Sequence, residues 1–192
     1  GIYEGYTKLP GQKIYGIVIS SPNGKSVDLD VADRSGPAPG YCHKRQIFDN
    51  YLFESATKTF KVKFKVFNAM DVVMENGAAA GIAGKNEKGQ DEILAAKMIL
   101  GCDGANSVIA RKFNLNKSPS EHFIVATRGY YKNVNGMSDR IEIHMIKDLI
   151  PGYFWVFPLS DNEVNVGLGM IVKDRVEKGV NLVEAQNKVI AE

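Results

Sequence analysis

Residues 100–111 read Leu-Gly-Cys-Asp-Gly-Ala-Asn-Ser-Val-Ile-Ala-Arg. An apolar run ends there in a Gly-x-Asp-Gly turn, and a short helix is predicted from Ser107 to Phe113. Such a turn leaves backbone N–H groups free, and its glycines let a ligand approach them closely. The carboxylate of Asp103 suits a ribose hydroxyl or a water better than a phosphate. The alternative is an ordinary strand-to-helix turn with Asn106 or Ser107 as the N-cap.

Before this turn the chain alternates strands with one helix. The apolar periodicity predicts a hairpin of strands around an Asn-Gly turn, a helix, an alternating strand, a second hairpin and the strand that enters the turn. Their predicted ranges are 12–20, 25–31, 44–56, 60–66, 70–74, 78–83 and 92–100, with a hairpin loop at 87–90.

After residue 115 the character of the chain changes. Four strands joined by short turns are predicted at 122–133, 139–147, 152–160 and 163–172, followed by a helix at 181–192. A run of strands without intervening helices indicates an antiparallel sheet. We therefore predict an α+β fold with three parts, residues 1–117, an antiparallel sheet at 118–175, and a terminal helix at 176–192.

An aromatic group marks the third of these strands. Strand alternation places Tyr153, Trp155 and Phe157 on one face and the residues between them on the other. Three aromatic rings on one face suit an elongated apolar ligand, but a core strand has the same pattern. Pro158 is expected to end this strand, and Gly167 with Gly169 permits a close approach on the facing strand.

Arg45 lies in the first turn of the predicted helix at 44–56. A cation is poorly placed at this positive end of the helix dipole, so a bound anion would explain it. An ion pair with Asp49, one turn later, is the alternative.

Composition excludes several classes of protein. The 192 residues carry a net charge of +2, without the basic surface that nucleic acids require. Two cysteines and three histidines offer neither a disulfide framework nor metal-ligand spacing, which favours the cytoplasm. Neither a membrane-spanning run nor a signal peptide is visible. The chain begins with Gly1 rather than Met, as expected for a segment of a longer protein.

Two motifs resemble flavoprotein oxidoreductases of the p-hydroxybenzoate hydroxylase type. The pattern from Gly101 to Arg111 resembles the DG motif of that family, and residues 41–49 resemble its Arg-x-x-Phe-Asp helix start. The resemblance implies FAD as the cofactor, with Arg45 at its phosphates and Asp103, Gly104 and Ala105 along its binding site. It also implies an FAD/NAD(P)-binding α/β fold with an inserted antiparallel substrate sheet.

A third motif resembles geranylgeranyl reductases. Residues 151–158, Pro-Gly-Tyr-Phe-Trp-Val-Phe-Pro, and 164–169, Asn-Val-Gly-x-Gly after Val164, resemble their Y-x-W-x-F-P and N-V-G-x-G patterns. The resemblance implies hydride transfer from reduced FAD to isoprenoid C=C bonds, with electrons from NAD(P)H or a reduced carrier. Peripheral membrane contact follows from such substrates. The residues implied to line the substrate cavity are Tyr153, Trp155, Phe157, Pro158 and Gly167.

Two family segments have no counterpart in this sequence. The G-x-G-x-x-G fingerprint and the later Gly-Asp-Ala segment are both missing, so we expect a middle segment that is inactive alone and does not retain FAD. Monooxygenases, halogenases and quinone-linked dehydrogenases share the architecture of this family and remain alternatives. The halogenases have a W-x-W-x-I-P motif, and this chain differs from it at Tyr153 and Phe157. A lipid-binding module without redox chemistry is a further alternative. The sequence assigns no catalytic residue and no metal ligand.

Overall fold

The computed structural model describes residues 2–160 and 162–191. Within them lie five α-helices: α1 (Ile2–Tyr6), α2 (Arg45–Glu54), α3 (Val108–Lys112), α4 (Val172–Glu177) and α5 (Leu182–Ala191). A π-helical turn at Ser55–Thr59 follows α2. The strands are β1 (Gln12–Ile14), β2 (Gly16–Ser20), β3 (Ser26–Asp30), β4 (Gly40–Cys42), β5 (Phe67–Glu75), β6 (Ala78–Asn86), β7 (Asp91–Ala95), β8 (Ile124–Lys132), β9 (Arg140–His144), β10 (Tyr153–Ser160) and β11 (Glu163–Ile171).

The chain forms two compact units. The first contains the residues up to Phe60 together with those from Pro119 onward, and the second contains Lys61–Ser118. The predicted boundary near residue 118 coincides with one end of the second unit. The expected continuous part at 1–117 is not one compact body, because the residues up to Phe60 pack with the later strands.

A six-stranded sheet is the centre of the first unit. Its strand order is β3-β2-β9-β10-β11-β8, and every neighbouring pair is antiparallel except β2 and β9. The four predicted antiparallel strands are confirmed, and the β2–β3 hairpin extends them on one side. The predicted strand at 12–20 is interrupted at Tyr15, since β1 pairs with β4 in a separate two-stranded sheet.

Charged residues on one face of the sheet join the hairpin to β9. Arg140 donates hydrogen bonds to Asp28 (2.8 Å), Asp30 (2.6 Å) and Asp139 (2.7 Å), and Arg34 donates to Asp139 (2.7 Å). Only 11% of the Arg140 side chain is exposed. The Arg34 guanidinium, with help from Arg140, holds the pKa of the Asp139 carboxyl below its usual range. These contacts fasten an otherwise exposed edge hairpin to the rest of the sheet.

Substituting Arg140→Gln is expected to lower the stability of this unit and to weaken its dependence on pH. With its lowered pKa, Asp139 stabilises the fold above the ordinary aspartate value of about 3.9, and that contribution is lost as the pH falls through the lowered value. Urea titrations from pH 7 down to acid pH measure both effects. The control is Lys85→Gln, which removes the exposed pair with Asp91 and should change little. Equal behaviour of the two variants would contradict a fastening role for Arg140.

The core of the first unit lies on this same face, over β10 and β11. Its buried residues come from β10, β11, the 3₁₀ turn at Lys147–Leu149 and α5, namely Leu149, Phe154, Val164, Val166, Leu168, Met170 and Leu182. Buried Gln186 on α5 donates to the Tyr131 hydroxyl (3.1 Å) and accepts from Thr127 (2.5 Å). Helix α5 therefore packs on the sheet through Leu182 and Gln186.

The second unit contains a three-stranded antiparallel sheet in the order β5-β6-β7. Its two hairpins confirm the predicted turn regions, and α3 packs against β5 through an ion pair between Lys112 and Asp71 (2.9 Å). Val72 is almost completely buried in this unit.

Two predicted strand segments are wrong. Residues 61–66 and 98–100 have no strand structure, although both read as apolar strand segments. The side chains of Phe64 and Leu100 are 64% and 79% exposed. Alternation produces a strand only when a neighbouring strand completes the hydrogen-bond ladder. No strand of the described second unit pairs with either segment, so the pattern alone does not suffice.

Candidate functional site

Three aromatic side chains form a strip on β10. Tyr153, Trp155 and Phe157 share one face, with ring centroids 6.1 Å apart at each step. We call these three residues the aromatic strip. Phe154 points the other way into the core, as the alternation predicts. The strip is partly open to solvent, with Tyr153 39% exposed.

Trp155 is held in place from the neighbouring strand β11. Its indole Nε1–H donates to Asn165 Oδ1 (3.1 Å), and its ring lies over Gly167, the residue directly opposite. A Cβ on Gly167 would lie 2.1 Å from Trp155 Cζ2 and 2.5 Å from the Thr127 carbonyl oxygen. The close approach predicted for this glycine is therefore required by the tryptophan ring.

Pro158 does not belong to the open face. It is fully buried, and it lies within β10 rather than at its end, paired with Val164 next to a β-bulge. The pairing of β10 with β9 stops at Val156, so beyond that point β10 has a neighbour on one side only. A proline without an N–H is tolerated at such a position. The expectation that Pro158 ends the strand is therefore corrected, and its place in the lining of a substrate cavity stays a prediction.

Strand β8 adds two residues that the sequence analysis did not single out. Arg128 stacks over the ring of Tyr130, 5.0 Å from its centroid. The Tyr130 hydroxyl accepts a hydrogen bond from the Arg45 backbone N–H (3.2 Å), and this bond together with the Arg128 charge lowers the Tyr130 pKa. Residues 128 and 130 alternate on a predicted strand, so the same rule that found the aromatic strip could have found them.

Arg45 begins α2, as predicted. Its Nε–H contacts both carboxylate oxygens of Asp49 (2.9 and 3.1 Å), which raises the pKa of the guanidinium. The preceding Lys44 pairs with Glu163 on β11 (2.6 Å). The helix thus begins beside the sheet, and the side chain of Arg45 remains 66% exposed. The Asp49 pair is present, and contact between Arg45 and a phosphate stays a prediction.

The Asp-Gly turn of the second unit caps α3. Asp103 accepts from the Val108 N–H (2.7 Å) and Ser107 Oγ accepts from the Ala110 N–H (2.9 Å), so Ser107 is the N-cap. The hydrogen bond with the Ser107 side chain, and that from the Val108 amide, lower the Asp103 pKa. These contacts explain the turn locally.

The same turn has room for a ligand. Gly104 has φ +78°, and nothing lies within 4 Å of the position its Cβ would occupy. Gly104 and Ala105 are exposed, as is the Asp103 carboxylate. An ionised carboxylate beside open backbone fits the hydroxyls of a dinucleotide cofactor.

Residues 2–160 and 162–191 lack two further features, a metal site and a membrane-spanning helix. No three His, Cys, Asp or Glu side chains are grouped there in a way that could hold a metal ion. None of the helices in those ranges has the length and apolarity needed to cross a membrane.

Burial raises the pKa of the Cys42 thiol to about 11, so it stays protonated at neutral pH.

This chain is similar in sequence to known reductases. Residues 123–191 match the model of the geranylgeranyl reductase catalytic domain. The chain is 30% identical over 177 residues to the digeranylgeranylglycerophospholipid reductase of Methanocella arvoryzae, covering 91% of this chain and 44% of the relative. The corresponding reductase of Methanosarcina acetivorans is also 30% identical, over 85% of this chain and 39% of the relative.

Solved structures share the fold. A geranylgeranyl bacteriochlorophyll reductase-like protein from Thermoplasma acidophilum superimposes with a TM-score of 0.85 at 25% identity, over all of this chain and 49% of its own. An FAD-dependent myxobacterial halogenase superimposes with a TM-score of 0.76 at 18% identity, over all of this chain and 45% of its own. The predicted α+β fold is confirmed as that of FAD-dependent oxidoreductases. This chain spans less than half the length of these relatives.

Proposed function

This chain belongs to the geranylgeranyl reductase family, and from that premise we propose that the full-length protein is an FAD-dependent oxidoreductase that reduces isoprenoid C=C bonds. The observation that carries the proposal is the aromatic strip. It lies inside the segment that matches the reductase catalytic domain, and its rings face away from the core. An apolar face of this kind binds a polyprenyl chain by removing it from water.

The residues of the strip have distinct tasks in this proposal. Trp155, fixed by Asn165 and by the space above Gly167, supplies a rigid surface for the alkene. Tyr153 and Phe157 extend that surface on either side and exclude water from the reacting carbons. A displaced tryptophan would leave the alkene without a defined position.

Cofactor contacts are proposed for each unit by itself. Arg45, in the first turn of α2, would contact phosphates of FAD. Asp103, Gly104 and Ala105, in the turn before α3, would line the ribose-containing part of FAD. When bound, FAD supplies the hydride that the protein cannot supply. Asp103 would accept hydrogen bonds from cofactor hydroxyls while it continues to cap α3. NAD(P)H or a reduced carrier is proposed as the electron source, and contact with a membrane surface as the route to lipid substrates.

The test uses the full-length protein. Its flavin is reduced with dithionite without oxygen, and a digeranylgeranyl glycerophospholipid in detergent is added while the visible absorption is recorded. We expect the spectrum of oxidised flavin to return. The variant Trp155→Leu should slow re-oxidation by the lipid and leave re-oxidation by oxygen unchanged, because oxygen does not need the aromatic strip.

Other outcomes would replace the proposal. Re-oxidation by oxygen alone would point to a monooxygenase or a halogenase, which use the same architecture. A correctly folded protein without a flavin spectrum would leave a lipid-binding module as the function.

A further inference from the structure

One row of side chains crosses the whole six-stranded sheet. Residues that face each other on neighbouring strands project from the same side of a sheet. The registers place six of them in a line from β8 to β3: Arg128, Gly167, Trp155, Ile143, Ile19 and Val27. The row therefore begins with a cation, continues through the aromatic strip and ends in three aliphatic side chains.

The aliphatic end of the row is open. Val27 on the edge strand β3 is 57% exposed and Ile19 is 37% exposed. A second aliphatic pair, Ile17 and Leu29, lies two residues further along the same strands and on the same face, with Leu29 47% exposed. The acidic residues of β3 lie on the other face of this hairpin, where Asp28 and Asp30 contact Arg140. The surface beside Trp155 thus continues as an apolar surface to the edge of the sheet.

The opposite end of the row carries a cation that no carboxylate neutralises. Across the described residues Arg128 forms no ion pair, whereas Arg34, Arg45 and Arg140 each contact an aspartate. Arg128 is exposed, and its guanidinium rests on the Tyr130 ring, which orients it without cancelling its charge. It can therefore receive an anionic group from solvent.

Charge and apolarity are separated along one line, and that separation matches an isoprenoid phosphate ester. Five strand spacings of about 4.8 Å give the row a length of about 24 Å. We propose that the isoprenoid chain lies across the strands, with its phosphate at Arg128, its middle on Trp155 and its far end on the β2–β3 hairpin at Val27. The hairpin then acts as the part of the site that reads chain length. This inference rests on the proposed function. It adds the orientation of the substrate across the sheet, and it assigns to Val27 the discrimination between long and short isoprenoid chains.

The inference predicts that substitutions at the two ends of the row weaken the binding of different sets of ligands. In the full-length protein, Val27→Asp should weaken binding of geranylgeranyl phosphate about tenfold, because a desolvated valine contact is lost. Binding of geranyl phosphate, which does not reach the hairpin, should stay within about twofold. Arg128→Gln should weaken the binding of both phosphate esters by the same factor. It should leave the binding of geranylgeraniol, which has no phosphate, unchanged. Isothermal titration calorimetry measures all of these affinities without turnover.

Two further variants control the experiment. Val176→Asp makes the same substitution at an exposed valine of α4 (67% exposed) that is not part of the row, and it should leave all affinities unchanged. Val27→Thr retains the β-branched shape that suits a strand. It should also weaken the binding of geranylgeranyl phosphate, by a smaller factor than Val27→Asp. It provides the test if Val27→Asp does not fold.

The outcomes separate this inference from the proposed function. One contrary result is that Val27→Asp lowers the affinity for geranylgeranyl phosphate and geranyl phosphate equally, and another is that it lowers neither affinity. Either result would overturn the proposed orientation of the isoprenoid chain, even if the lipid still re-oxidises the flavin. An affinity of Arg128→Gln for the phosphates equal to that of the wild type would overturn it as well. If wild-type protein neither binds geranylgeranyl phosphate nor is re-oxidised by lipid, both the inference and the proposed function fail.

Discussion

Gly167→Ala is expected to displace Trp155 and to disrupt the aromatic strip. The added Cβ would lie 2.1 Å from the indole ring and 2.5 Å from a backbone carbonyl oxygen, so neither neighbour can yield cheaply. Overpacking of this kind costs about 1–3 kcal/mol of stability. The hydrogen bond from Trp155 to Asn165 should be lost with the ring position. Equilibrium unfolding in urea and the emission maximum of Trp155 measure the two effects.

Gly169→Ala is the matched control. It introduces the same methyl group on the same strand two residues later, and the nearest heavy atom to that methyl group is Ala126 Cβ at 3.6 Å. This is an ordinary van der Waals distance, so we expect little loss of stability and an unchanged emission spectrum. Similar losses in the two variants would mean that β11 tolerates no side chain here for reasons unrelated to Trp155.

Leu168→Ala is expected to cause the largest loss of stability. Leu168 is completely buried in the middle of β11, between the core residues Val166 and Met170. Removing a buried leucine side chain leaves a cavity and costs about 2–5 kcal/mol. Because Leu168 projects from the opposite face to Gly167 and the aromatic strip, the protein that remains folded should still bind the lipid. Urea unfolding gives the free-energy change, and titration with geranylgeranyl phosphate gives the affinity.

Leu115→Ala provides the comparison for this substitution. The side chain of Leu115 is 74% exposed. The same truncation therefore removes little buried surface there and should change the stability by less than about 0.5 kcal/mol. A loss for Leu168→Ala as small as that for Leu115→Ala would contradict the placement of Leu168 in the core. Weaker lipid binding by Leu168→Ala in its folded state would instead show that the two faces of the sheet are coupled.

Several features of the fold follow from local chemistry and were predictable. The Asn23-Gly24 turn joins β2 and β3, and Gly24 has a φ of +81° there. Glycine adopts this conformation without a steric penalty, which is why an Asn-Gly pair predicts a hairpin turn. Strand alternation places Tyr153, Trp155 and Phe157 on one face, whatever the rest of the chain does. The helix after the Asp-Gly turn begins at a serine N-cap, which is a preference of the residue type.

Other predictions failed because they needed information from distant residues. The alternation at 60–66 resembles that of β10, but only β10 has strands beside it with which to pair. Because proline lacks an N–H, the sequence predicts a strand end at Pro158, yet the chain continues as a strand where β9 no longer pairs. In both cases the neighbouring strand decides the outcome, and the neighbour is not encoded nearby in the sequence.

The candidate site likewise has some features that local sequence determines and others that depend on the tertiary structure. Local sequence is enough to place the aromatic strip, two glycines on the facing strand and the turn at Asp103, because each depends on a period of two residues or on a short motif. The tertiary register decides that Gly167, rather than Gly169, lies opposite Trp155. Only the tertiary structure brings Val27 and Ile19 into line with Trp155 and Arg128. That alignment requires β2 to pair in parallel with β9, a strand from the far part of the chain, with Ile19 opposite Ile143. Sheet order depends on which faces can be buried together across the whole molecule, and a local pattern contains no record of that choice.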